Sequence, residues 1–382
     1  MTKKITMNQM NHQANKIADN YTRLQQELFY LLIDATKDTR SLLMDREHPL
    51  AWRFAMLQKM GGITEEVVRM VAKTANMSEQ QIKSLIEDNG LKVAQQMNSQ
   101  LATMLQRKNK PISSTQRQII KSYAHQAFLD IDNNVNQTLL TTNYGENAAM
   151  RTFQDIVNRT TLDIQTGRKT PQRALTDNIM QWQDKGMKTS LIDKGGHQWS
   201  LEGYTRTVLT STASRTFNDT RIQSMKEFDS VLATMTSHPA AREACSHIQG
   251  KVVNIVPPTH ESYNPRYDSI YNYGYGQPSE TLGINCRHDL YPYVEGVSHN
   301  FQKHYDPRKA RKNADIQQKQ RYYERSVRHQ KEKLKMANKL GDEKAQRKLK
   351  TSIRGYQSKL RDIVKDNDFL ARQYGRERIV AK

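Results

Sequence analysis

Two short triplets carry the residue types best suited to chemistry. Cys245-Ser246-His247 and Cys286-Arg287-His288 each set a thiol two residues from an imidazole. In a strand, residues i and i+2 share a face, so the two side chains of one triplet can address the same ion. Together the triplets offer two sulfur and two nitrogen donors, a tetrahedral set that suits zinc. Zinc is therefore the candidate cofactor, with Cys245, His247, Cys286 and His288 as its candidate ligands. The residue types leave three other readings open. The cysteines can be ordinary buried thiols. They can form a disulfide closing a loop of about 40 residues, worth roughly 3–4 kcal/mol. One of them can be a nucleophile with a nearby histidine as base. No G-x-S-x-G, H-E-x-x-H or Walker A pattern is present, and no carboxylate spacing picks out an acid/base pair. No catalytic residue and no small-molecule substrate are expected.

The elements that must position these triplets are mostly helices. Tyr21, Leu24, Leu28, Leu31 and Ala35 repeat at three and four, as on one helical face. Ile63, Val67 and Val71 do the same behind Gly61-Gly62, with Thr64 as a candidate cap. Ser78-Glu79-Gln80-Gln81 has a capping-box pattern, and Asn89-Gly90 is expected to stop the helix that follows. Lys110-Pro111 breaks the next stripe, and Ser113 with Gln116 forms a second capping box. Asn143-Tyr144-Gly145 is expected to end a long helix through Ile120, Ala127 and Val135. Gly167 ends another helix, and Thr170-Pro171 starts one more with Pro at its first position. No stripe holds a seven-residue period for four heptads, so a bundle is expected rather than a coiled coil.

Near Lys185 the texture changes, and Gly186, Gly195 and Gly196 mark loops. Val231–Met235 and Lys251–Val256 read as strands. Between Pro257 and Pro278 lies a loop rich in Tyr, Asn, Gly and Pro, too long for a plain connector. Pro292 argues against a central strand at 289–294. From about Asp315 the chain reads as basic helix. The expected fold is mainly α with a small α+β domain: a helical bundle at 1–185, a Cys/His-containing α+β domain at 186–300 and a basic helical tail at 301–382.

Charge is unevenly placed. The 382 residues hold 59 Lys and Arg against 39 Asp and Glu, a net +20. Residues 302–382 alone hold 25 against 10, a net +15. A solvated helical face accounts for such a run. Contact with a polyanion also accounts for it, and Lys331, Lys333, Lys335, Arg347, Lys348, Lys350 and Arg354 are then the candidate nucleic-acid contacts. With no groove-reading motif, that contact is expected to ignore base sequence. No apolar run approaches the ~20 residues of a membrane span. The polar start, Met1-Thr2-Lys3-Lys4, lacks a signal-peptide core.

Residues 195–296 resemble the phage minor capsid protein 2 family, kin to the Mu F-like head-morphogenesis proteins. The resemblance is carried by Gly195-Gly196-His197-Gln198-Trp199 through Tyr204, by Ser237-His238-Pro239 through Cys245, and by Gln249-Gly250-Lys251-Val252. Gly283-Ile284-Asn285-Cys286-Arg287-His288 closes it. Many Mu F-like relatives carry four cysteines here. In this chain Arg242 and His288 occupy two of those positions, so any metal would need histidine. The resemblance implies a structural protein inside the phage head, near the portal, assembled in the host cytoplasm and aiding assembly and DNA packaging or delivery. The implied partners are the portal protein, a scaffold or major capsid protein and packaged double-stranded DNA, with no membrane. Two rivals are a nucleic-acid-binding protein outside the virion and a Cys- or zinc-dependent enzyme in 237–296.

Overall fold

The computed structural model describes residues 4–141 and 147–380, and the chain is mainly helical with small antiparallel sheets. The elements in order are α1 (Met7–Lys37), α2 (Arg40–Met44), α3 (Pro49–Lys83), α4 (Asn89–Met104), α5 (Ser114–Ile131) and α6 (Gln137–Leu140). Next come α7 (Ala148–Gln165), α8 (Pro171–Lys185), β1 (Lys188–Ile192), β2 (Gln198–Ser200) and α9 (Leu201–Glu227). The chain continues with β3 (Leu232–Met235), α10 (Glu243–Ser246), β4 (Val252–Asn254), β5 (Leu290–Pro292), α11 (Pro307–Leu340) and α12 (Glu343–Lys365).

Local signals set several boundaries. Gln116 N donates to Ser113 Oγ and Ser113 N donates to Gln116 Oε1, both at 3.0 Å, so the capping box opens α5 as expected. Pro171 is the first residue of α8, and Gly167 adopts φ +66° after α7. Other signals are overridden. α3 runs straight through Gly61-Gly62 and past Ser78, and Thr64 Oγ1 bonds back to Met60 O instead of capping. Asn89-Gly90 does not stop a helix but opens α4 after a wide π-type turn at Ser84–Asp88. Gly90 is there for packing. A Cβ on it would lie 2.9 Å from Ile120 Cγ2 and 3.1 Å from Thr216 Cγ2. The expected stop at Asn143-Tyr144-Gly145 lies outside the described residues.

The chain forms two compact units. The first takes the chain to Ile17, Glu79–Leu129 and Arg206–Gln318. Its core joins Met97 and Leu101 of α4, Ile222 and Met225 of α9, and Ala233, Met235 and Val253 of the sheet with Cys245, Cys286 and Leu290. The sheet order is β4-β3-β5, both pairs antiparallel, with all four residues of β3 buried. Pro292 falls on β5, an edge strand, where its missing N–H costs no ladder bond.

The second unit takes Ala18–Ser78, Asp130–Thr205 and the chain from Lys319. Trp52, Tyr21, Phe29 and Phe153 are its large buried side chains. Trp52 Nε1 donates to Thr39 Oγ1 at 3.2 Å, which satisfies the one polar atom of that ring. The β1–β2 hairpin lies in this unit, in a stretch where the glycines had pointed only to loops. Here too the later part of α11 pairs with α12 as a hairpin. Val327, Ile353 and Leu360 meet in a small core, and Asp342 Oδ1 caps α12 by accepting from Ala345 N at 2.9 Å.

Candidate metal centre and basic face

The first unit brings three of the four expected ligands together. Cys245 on α10, Cys286 in the segment before β5, and His288 two residues on are all buried, and their ligand atoms lie within 4.8 Å of one another. Cys245 Sγ and Cys286 Sγ are 3.8 Å apart, and Cys286 Sγ is 3.4 Å from His288 Nδ1. His247 is not drawn into this cluster. It is exposed, with Nε2 3.1 Å from Glu243 Oε1 one helical turn back.

Backbone packing holds the cysteines in register. Gly283 fits only because it has no side chain, since a Cβ would collide with the Pro278 carbonyl. Asn285 takes φ +59°, a left-handed turn that Asn tolerates, and this aims the chain into Cys286. Arg242 stands where a four-thiolate site would need sulfur. Its guanidinium instead donates to the carbonyls of Ser279 at 2.8 Å and Ile284 at 2.5 Å, holding the 279–284 segment beside α10. On the other side, Asn218 Nδ2 donates to His288 O at 3.2 Å and Asn218 Oδ1 accepts from Leu290 N at 3.1 Å.

Two residues absent from the expected ligand set shape the cluster. Gln249 Oε1 accepts from His288 Nε2 at 3.0 Å and from the His238 backbone N–H at 2.9 Å. The His238 ring lies 4.8 Å from that of His288, centroid to centroid. Burial, with His288 beside it, holds the His238 imidazole below its ordinary value. The hydrogen bond with Cys245 lowers the Cys286 thiol, against its own burial, and His288 adds to the effect. The same bond and burial push the Cys245 thiol up. In the sequence, Gln249 and His238 stand out only as parts of longer motifs, and nothing there signals which partner an imidazole will meet.

The tyrosine-rich loop is used within its own unit. Tyr275 Oη donates to the half-buried Asp219 at 2.8 Å, and Tyr123 Oη donates to the same carboxylate. Burial raises the Asp219 carboxyl above its ordinary value. Tyr267 Oη bonds Glu295 at 3.0 Å, and Tyr263 and Tyr273 pack on the core.

The basic residues divide. On α11, Lys333 Nζ is 2.6 Å from Asp184 Oδ2 and only 12% exposed, and Lys331 Nζ donates to Glu377 O at 2.9 Å. Lys335 is exposed. On α12, Arg347, Lys348, Lys350 and Arg354 are all exposed, and none has an ion pair among the described residues. Arg347, Arg354 and Arg361 recur every seven residues, about 10.5 Å apart along the helix, opposite the buried Leu349, Ile353 and Leu360. No helix among the described residues is long and apolar enough to cross a membrane.

The fold and site define a mainly helical protein with a buried Cys/His cluster and a basic helical hairpin. The model of the family "Phage minor capsid protein 2" matches residues 5–365. A structural protein of Lactococcus phage LL-H is 52% identical over 362 residues, 94% of this chain and 98% of the relative. A structural protein of Lactococcus phage mv4 is 57% identical over 117 residues, 31% of this chain and 95% of that relative. No solved structure matches. The chain therefore belongs to the phage minor capsid protein 2 family.

Proposed function

We propose that this chain is a structural component of a tailed-phage virion, lying inside the head near the portal. There it assists assembly and meets packaged double-stranded DNA through its basic C-terminal hairpin. Family membership over residues 5–365 is the observation that carries the reading. The Arg and Lys of α12, exposed and without an ion pair among the described residues, support the DNA contact, because cations that neutralise phosphates release the counterions condensed on DNA. Lys335, Arg347, Lys348, Lys350 and Arg354 are the contacting residues, while Lys331 and Lys333 hold the hairpin in place. Residues 1–185 dock on the portal, 186–300 carry the Cys/His cluster, and 301–382 face the DNA. A scaffold or the major capsid protein is a further partner, and the protein joins the head in the host cytoplasm. The Cys/His cluster is structural, and the protein turns over no substrate.

The test is genetic. A nonsense mutation in this gene should yield defective or DNA-poor heads, restored when the protein is supplied in trans. Infectious, DNA-filled particles of normal yield without it would reject the reading.

A further inference from the structure

We propose that Cys245, Cys286 and His288 bind one zinc ion, and that Gln249 positions the imidazole for it. The ligand geometry is the first argument. Zinc–sulfur bonds of ~2.3 Å and zinc–nitrogen bonds of ~2.0–2.1 Å at tetrahedral angles put two sulfurs about 3.8 Å apart and sulfur and nitrogen about 3.5 Å apart. The observed separations are 3.8 Å for Cys245 Sγ to Cys286 Sγ and 3.4 Å for Cys286 Sγ to His288 Nδ1. All three donors lie within 4.8 Å of one another, close enough to share one ion.

The second argument is the tautomer. The His238 backbone N–H can only donate, and it donates to Gln249 Oε1. That fixes the amide, because a flipped amide would set its NH2 against this N–H. His288 Nε2 therefore donates to the same oxygen and must carry hydrogen. In the neutral ring this leaves a lone pair on Nδ1, the atom beside Cys286 Sγ. Metal-bound histidines are usually held in this way by an acceptor on the far nitrogen. Among the described residues Gln249 Nε2 has no partner, so the side chain is held there by its oxygen.

The chemistry of the donors is the third argument. A disulfide would need only the two sulfurs, and neither the third donor nor its orientation would have a role. Two thiolates with imidazole suit zinc over harder cations such as magnesium or calcium. The chain has no third cysteine, so the fourth ligand is a nitrogen or oxygen donor. The ion would tie α10 to the segment entering β5 across 41 positions, closing the tyrosine-rich loop between them.

The experiment uses the full-length protein purified under reducing conditions, with zinc measured by elemental analysis and thiols by titration. One zinc per chain is expected, and cobalt substitution should give thiolate-to-cobalt charge-transfer absorption. Cys286→Ser should lose at least nine tenths of the zinc. His247→Ala should keep all of it. Gln249→Leu should keep both thiols and the helical circular dichroism but weaken zinc about 10–100-fold in competition with a chelator. This last variant keeps the test sound if Cys286→Ser fails to fold. Zinc-free protein carrying two free thiols or a Cys245–Cys286 disulfide would overturn the proposal. Loss of zinc on His247→Ala, or unchanged affinity in Gln249→Leu, would overturn the assignment of ligands and of Gln249.

Discussion

His329 Nε2 on α11 lies 2.9 Å from Asp184 Oδ1 on α8, within the second unit. Around the same imidazole stand Glu332 at 3.5 Å, Lys333 on Asp184 at 2.6 Å, and Arg328 on Glu202 at 2.9 Å. The basic hairpin is thus fastened to α8 by a charge network. Neighbouring Gln183 adds a buried bond to Glu332 at 3.0 Å.

This pair predicts a pH dependence. Burial opposes the charge on His329, but the hydrogen bonds to Asp184 and Glu332 outweigh it and raise the group from 6.5 to about 9. A folded value above the unfolded one means that stabilisation is complete below pH 6.5 and lost as pH rises through about 9. Allowing for partial exposure, the loss is about 2 kcal/mol. Urea melts between about pH 6 and 10 should show it, and His329→Gln should remove most of the slope in that window.

The capping box predicts a local cost. Ser113→Ala removes the acceptor for Gln116 N and the donor to Glu227 Oε1 at 2.6 Å. A loss of about 1–2 kcal/mol is expected, read as a lower urea midpoint with an unchanged m-value.

Gly90→Ala sets two effects against each other. Alanine favours a helix by about 1 kcal/mol over glycine. The added methyl would press on Ile120 and Thr216 in a packed core, where overpacking costs about 1–3 kcal/mol. Net destabilisation is expected in thermal melts. A stabilised protein would show that α4 and α5 can part freely there.

These positions show what sequence could reveal. The capping box, Pro171 and the exclusion of a central strand at Pro292 were legible because each acts through its own backbone within a few residues. Gly61-Gly62, Ser78 and Asn89-Gly90 misled because the same residues also fit inside a helix when the surrounding core requires one. The cysteines and His288 were legible as a spacing. His247 and Gln249 were not separable, since one turns to Glu243 and the other to an imidazole 39 positions away. Each compact unit is assembled from three separated stretches, and texture along the chain does not reveal which stretches meet.

The division among the basic residues predicts separable effects. Arg347→Glu with Arg354→Glu should weaken duplex DNA binding and flatten its dependence on salt, by about 0.9 in log–log slope for each phosphate that is no longer neutralised. Lys333→Ala should leave that slope unchanged but lower stability by releasing Asp184. Filter-binding titrations across salt concentrations, with parallel melts, separate the two. Equal effects of both changes on the slope would mean that α11 touches DNA as well.

The placement of the protein in the virion is tested most directly by cross-linking mass spectrometry on intact, DNA-filled particles. A few copies per head are expected, with cross-links from residues 1–185 to the portal protein. The lysines of α12 are expected to stay shielded from modification until the DNA is released. Particles that contain none of this protein, or hold it with no link to any head component, would contradict the account.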